Sequence, residues 1–181
     1  MTTANKITIV RVALIPAFIV LMLLKFKFSD IAALIVFAVA CVSDFADGYI
    51  ARKYDQVTTF GKFMDPLADK LLVAAALLIF VARGQMPSWA AFIVIAREFA
   101  VTALRLIAVD GGVVIAAGIS GKVKTMVSMI CICVMITSLH SAPVIPGVLT
   151  VDGLAVILIL ITTVWSGAEY FARNAKLLKL K

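Results

Sequence analysis

Asp44, Asp47, Asp65 and Asp69 lie inside apolar sequence of membrane-spanning length, in the run DFADGYIARKYDQVTTFGKFMDPLAD. The run parses as D-x2-D-G-x2-A-R-x8-G-x3-D-x3-D. A carboxylate near the middle of a spanning helix costs about 2.5–3.5 kcal/mol on insertion scales. Four of them close together therefore demand a counter-charge. Spacings of i, i+3, i+7 and i, i+4 keep residues on one helical face. Asp44, Asp47, Gly48 and Ala51 form one such stripe, and Gly61, Asp65 and Asp69 form another. The eight residues between Arg52 and Gly61 suit a short connection between antiparallel helices, so both stripes can face each other. Converging carboxylates describe a site for one or two hard divalent cations: Mg²⁺, Mn²⁺ or Ca²⁺. Zinc fits less well, because no His or Cys is positioned to help.

The small residues in these stripes have two readings. In membranes, Gly and Ala let helix backbones approach closely, and that reading competes evenly with a binding role at Gly61. Gly48 lies beside Asp47, where a ligand can approach the backbone, so binding is favoured there. Arg52, at the interface end of its segment, is either a topogenic charge or a phosphate ligand, and its place beside a metal cluster favours phosphate. Paired metals near one membrane face suit diphosphate chemistry, since they can neutralise the diphosphate and clamp both oxygens of an in-line displacement. With no nucleophilic Ser or Cys in the cluster, direct transfer to an acceptor hydroxyl is expected. Asp69, at the end of the run, is the expected general base.

The elements that must position these groups are long and apolar. Of 181 residues, 64% are hydrophobic and 15% charged, whereas a soluble domain is typically about half apolar and a quarter charged. An integral membrane protein with a single domain over residues 1–181 is expected. Apolar stretches near residues 8–27, 30–53, 60–82, 88–109, 121–140 and 151–173 predict an all-α, polytopic chain with six transmembrane helices. Turn signals separate them, among them Arg83-Gly84-Gln85-Met86-Pro87 and the stretch from Pro143 to Pro146. Strand-like alternation is absent, which argues against a transmembrane β-barrel. The first run is too long for a signal h-region and has no small-residue cleavage site, so it is expected to stay.

Six spans put both termini on one side. That side collects eleven Lys and Arg residues, from Lys6 to Lys181, against Lys25, Lys27 and Arg83 on the other. The positive-inside rule then places both termini, and the aspartates, at the cytoplasmic face. The net charge of +7 fits attraction to anionic headgroups of membrane lipid. Nucleic acid is not an expected partner, because no aromatic-basic platform accompanies the charge. Cys41, Cys131 and Cys133 fall in apolar runs without metal-ligand spacing.

The run from Asp44 to Asp69 matches, at all eight specified positions over 26 residues, the signature of the CDP-alcohol phosphatidyltransferase family. This resemblance implies two divalent cations, Mg²⁺ or Mn²⁺, held by Asp44, Asp47 and Asp65. Asp69 would contribute to that site and act as the base. It also implies that Gly48, Ala51 and Arg52 line a pocket for CDP-diacylglycerol, to which Gly61 is assigned. Asn5, Thr8 and Arg11 in NKITIVR resemble the family's N-x2-T-x2-R element, which helps hold the nucleotide diphosphate. Without the resemblance those three residues are an ordinary helix start. A homodimer in the bacterial plasma membrane is implied as well.

Two further polar groups bear on the acceptor. Arg97, Glu98 and Arg105 interrupt the fourth span, and Lys122, Lys124 and Thr125 open the fifth in SGKVKT. An internal ion pair that stabilises the bundle, Arg97 with Glu98 or an Arg with an Asp, is the bland reading. The other is a cationic pocket for an acceptor that itself carries phosphate, which serine or choline would not need. The elements REFAVTALR and GKVKT resemble those of the family branch that uses glycerol 3-phosphate. On that reading Arg97, Arg105, Lys122, Lys124 and Thr125 bind glycerol 3-phosphate, and the products are phosphatidylglycerophosphate and CMP. Inositol phosphate, or an uncharged alcohol such as serine, is the alternative acceptor.

An intramembrane prenyltransferase also grips a diphosphate through aspartate-bound Mg²⁺, but such proteins resemble longer chains with other Asp spacings. A divalent-cation transporter would be expected to show internal repeats and a midplane site, and this chain has no second copy of the motif. His140 reads as an interfacial residue. Trp89, Trp165 and Tyr170 fall near span ends, as belt aromatics do. Glu169 is expected to pair with a basic neighbour.

Overall fold

A computed structural model describes the backbone of residues 3–24, 26–53, 59–110, 118–137, 142–146 and 148–175. Within the helices, the side chains of residues 3–8, 44–53, 59–66, 69 and 110 lie outside the described residues. The described backbone is dominated by helices: α1 (Thr3–Leu23), α2 (Ser29–Lys53), α3 (Thr59–Ala82), α4 (Ser88–Asp110), α5 (Ile119–Ile136) and α6 (Val151–Arg173). Each coincides with one expected apolar stretch. The α5 helix stops at Ile136, short of the expected 140, and His140 lies outside the described residues.

One element departs from an all-α chain. Pro143–Ile145 (β1) and Leu149–Thr150 (β2) pair antiparallel in the α5–α6 connection. The sequence marks this stretch only as a break, because Pro143 and Pro146 bracket too few residues to show alternation.

Local chemistry sets the helix ends. At the end of α3, Gly84 takes φ +74, the left-handed conformation that glycine adopts without a Cβ penalty. Its N–H donates to the Val81 carbonyl at 3.1 Å, and the Gln85 N–H donates to the Phe80 carbonyl at 2.9 Å. These two bonds form a Schellman motif that satisfies carbonyls the helix leaves open. At the start of α6, the Thr150 hydroxyl accepts from the Gly153 N–H at 3.2 Å, and Asp152 sits in the first turn. Pro16 lies inside α1, where it removes one backbone donor.

The α1 helix packs against both α2 and α3, α6 against α5 and α4, and α3 against α4. Phe18, Phe37, Leu72, Phe80, Ile132, Met135 and Ile159 fill the interior, and the Phe18 and Phe37 rings meet at 5.6 Å. The outside is apolar too. Ile31, Ile35, Val39 and Val42 form an exposed stripe on α2, and Phe92, Phe99 and Leu106 one on α4. Faces of this kind are costly in water and neutral in hydrocarbon. Among the described residues, two helices are long and apolar enough to cross a membrane: Ile119–Ile136, with mean hydropathy 1.7, and Val151–Arg173, with 1.9.

At the far end of the molecule, Arg83 braces the connections. It donates to Asp30 through both Nη atoms at 3.1 Å, and to the Met22 carbonyl. The ends of α1, α2 and α3 are tied together there.

Candidate functional site

The adjacency of α2 and α3 determines where the aspartates sit. Helices α2 and α3 pack together and are joined by residues 54–58. Asp47 lies six residues before the end of α2, and Asp65 six residues after the start of α3. Asp44 and Asp69 lie nine before and ten after those same ends. The aspartates therefore stand at matching residue counts from the joined ends of two adjacent helices. A donor set of carboxylates alone is the chemistry that Mg²⁺ or Mn²⁺ prefers. The side chains of Asp44, Asp47, Arg52, Asp65 and Asp69 lie outside the described residues, as do the surroundings of Gly48, Ala51 and Gly61.

The N-terminal element falls on α1. Asn5 and Thr8 are helical, with side chains outside the described residues. Arg11 is buried, at 1% exposure. It lies twelve residues before the end of α1, and twelve residues beyond the start of α2 is Cys41, one turn short of Asp44. A guanidinium is thus buried within about a turn of the depth of the first aspartates, where a chain must compensate its charge.

Beside this register lies a cavity of about 700 Å³, walled by α4, α5 and α6 and touched by Lys70 of α3. Lys70 directly follows Asp69, so the cavity reaches the aspartate-bearing segment. Arg97, Arg105, Lys122 and Thr125 all line it, as expected for residues eight apart on α4 and on the first turns of α5. The fifth expected residue, Lys124, is buried at 4% exposure behind them. It lines a cleft of about 20 Å³ shared with Lys70, Glu98, Thr125 and Ser128.

Glu98 organises the cations. Its Oε1 accepts from Lys124 Nζ at 2.5 Å and from Arg97 Nη1 at 3.0 Å. Arg97 Nη2 donates to Ser166 Oγ at 3.0 Å. A Cβ on Gly167 would stand 3.2 Å from Arg97 Cγ, so the absence of a side chain there makes room for the arginine stem. The ion pair between Arg97 and Glu98, the bland reading of those neighbours, is present, and Arg97 still faces the cavity.

Arg105 is held differently. Its Nε donates to Tyr170 Oη at 3.3 Å, and its guanidinium carbon lies 5.6 Å from the centre of the Tyr170 ring. Tyr170 is buried at 8% exposure, so it is no belt aromatic. Trp89 and Trp165 are exposed. Proximity to a span end misled at Tyr170 because it carries no information on which way the residue faces. Ser166, Gly167 and Tyr170 were missed as a group. Their i, i+4 spacing on the inner face of α6 was the available signal, but it reads equally as packing. Glu169 pairs with Arg173 at 2.5 Å, one turn on.

Comparisons with known proteins identify the family. The profile for CDP-alcohol phosphatidyltransferase matches residues 1–165. A Bacillus subtilis protein named CDP-diacylglycerol–glycerol-3-phosphate 3-phosphatidyltransferase is 43% identical, over 97% of this chain and 96% of its own length. A Mycobacterium tuberculosis protein named probable phosphatidylglycerophosphate synthase is 35% identical over 94% of this chain and 80% of its own. A Rickettsia typhi protein with the same name as the Bacillus relative is 32% identical over 92% of this chain and 93% of its own. With the family's profile covering most of its length, the chain belongs to the CDP-alcohol phosphatidyltransferase family.

Proposed function

We propose that this protein transfers the phosphatidyl group of CDP-diacylglycerol to glycerol 3-phosphate, giving phosphatidylglycerophosphate and CMP. The observation that carries the reading is the cationic cavity. Arg97, Arg105 and Lys122 line a space that extends to Lys70, next to Asp69. An acceptor with a phosphate at one end and a hydroxyl at the other suits such a space. The names of the Bacillus and Rickettsia relatives give the same acceptor.

Asp44, Asp47, Asp65 and Asp69 are the residues that would hold two divalent cations, Mg²⁺ or Mn²⁺. Bound there, such cations supply positive charge that neutralises the diphosphate of the donor. Arg52 and Arg11, with Asn5, Thr8, Gly48, Ala51 and Gly61, form the donor pocket. Asp69 takes the proton from the free primary hydroxyl of glycerol 3-phosphate. That oxygen bonds to the phosphorus bearing the diacylglycerol, and the bond from this phosphorus to the oxygen of CMP breaks. Holding both substrates in line supplies much of the rate, because it replaces a bimolecular encounter.

The single domain spans residues 1–181 as a bundle of six transmembrane helices in the bacterial plasma membrane. Both termini and the site face the cytoplasm, where glycerol 3-phosphate is dissolved and CMP is released, and two chains form a homodimer.

The test is CMP release by purified protein from CDP-diacylglycerol and Mg²⁺, with glycerol 3-phosphate, inositol phosphate, serine and free glycerol as separate acceptors. Release is expected with glycerol 3-phosphate and lost in excess EDTA. Equal turnover with free glycerol or serine would overturn the acceptor assignment. Full turnover by protein confirmed metal-free would overturn the role of the aspartates.

A further inference from the structure

We infer that Tyr170 is a positioning residue for the acceptor: it orients Arg105 as the arginine that recognises phosphate, while Glu98 engages Arg97 and Lys124. The inference deepens the proposed function and rests on its acceptor reading.

The two arginines lining the cavity differ in what they have left to offer. A guanidinium presents five N–H donors, and its strongest grip on phosphate is a pair of parallel bonds. Arg97 already gives one Nη to Glu98 and the other to Ser166. Lys124 gives Nζ to Glu98. The Arg105 bond to Tyr170 uses Nε, and among the described residues no hydrogen bond engages its Nη atoms. Its end-on pair of donors is therefore undivided, and Arg105 lines the cavity.

Tyr170 is itself well fixed. It packs with Val101 and Leu104 of α4 and meets the Phe171 ring edge-on at 6.4 Å. With its ring 5.6 Å from the guanidinium and its hydroxyl on Nε, it constrains the arginine in plane and rotation. A long side chain so restrained loses less freedom when it closes on a ligand. The expected benefit appears in the affinity for acceptor and not in the chemical step.

Four proteins test this: the wild type, Tyr170→Phe, Arg105→Ala and the double variant, with Tyr170→Leu as a fifth. Tyr170→Phe keeps the ring and its packing and removes only the hydroxyl. It should raise the KM for glycerol 3-phosphate about threefold to tenfold, with kcat and the KM for CDP-diacylglycerol unchanged. Tyr170→Leu, which also loses the ring face, should raise it further. Arg105→Ala should raise it about ten- to hundredfold. In the Arg105→Ala background, adding Tyr170→Phe should change nothing, because the residue it positions is gone. Equal effects of Tyr170→Phe with and without Arg105 would overturn the inference, as would an unchanged KM or a loss confined to kcat. Those outcomes leave glycerol 3-phosphate as substrate. A wild type indifferent to the acceptor's phosphate would instead sink the acceptor reading, and this inference with it.

Discussion

Glu98 lies between two cations, and its carboxylate decides what each side chain of the cavity can still bind. A cluster of Arg97, Arg105, Lys122 and Lys124 without it would be a field of like charges, costly to assemble where water is scarce. With it, Lys124 becomes part of the wall. The aspartates pose the reverse problem, carboxylates in need of cations, and bound metal is the expected answer. Asp69 has a second proposed task, and the two can be separated by kinetics. Asp69→Asn should lower kcat by about two to four orders of magnitude, the usual contribution of a positioned base. The KM for CDP-diacylglycerol should move far less, since an interaction made in the transition state leaves ground-state affinity alone. Near-normal turnover would reduce Asp69 to a metal ligand. Much at this scale was legible from spacing: the separation of eight positions from Arg97 to Arg105 predicted a shared face, and both line one cavity. The buried setting of Lys124 was not legible. Its partner Glu98 is 26 residues away, and no helical period links two different helices.

Among the elements, boundaries were readable because apolar runs are punctuated by residues with fixed conformational demands. Gly84 is the clearest case, as the Arg-Gly-Gln-Met-Pro stretch ends one helix and precedes the next. Alanine there would be forced to φ +74 with open space around its Cβ, so strain alone would change. Gly84→Ala should cost about 1 kcal/mol of stability. A lowered thermal transition with unchanged CMP release per folded molecule is the expected result. An unchanged transition would mean the turn shifts freely. What periodicity could not supply is the azimuth of each helix. Tyr170 reads as a belt residue by its place along α6 and is buried by its angle around it. The pairing of β1 with β2 was equally hidden, since two strands of three and two residues carry too little pattern.

At the scale of the whole molecule, access to a soluble acceptor depends on which end faces the cytoplasm. The Pro143–Thr150 ribbon lies at the N-terminal end of α6, and Asn174 caps its other end. The helix between them has 23 residues, about 35 Å at 1.5 Å per residue, enough to cross the hydrocarbon core. A cysteine at each end should therefore report opposite sides. Val148 is 79% exposed in the ribbon, and Asn174 follows the last turn of α6 near the cavity side. In a background with Cys41, Cys131 and Cys133 replaced by serine or alanine, Val148→Cys should react with a membrane-impermeant maleimide in intact cells. Asn174→Cys should react only after the membrane is permeabilised. Both cysteines labelled from outside would make α6 something other than a span. The reverse pattern would turn the aspartates and the cationic cavity outward, away from soluble glycerol 3-phosphate. The positive-inside bias and the proposed substrate would then be incompatible, so this labelling tests topology and function together.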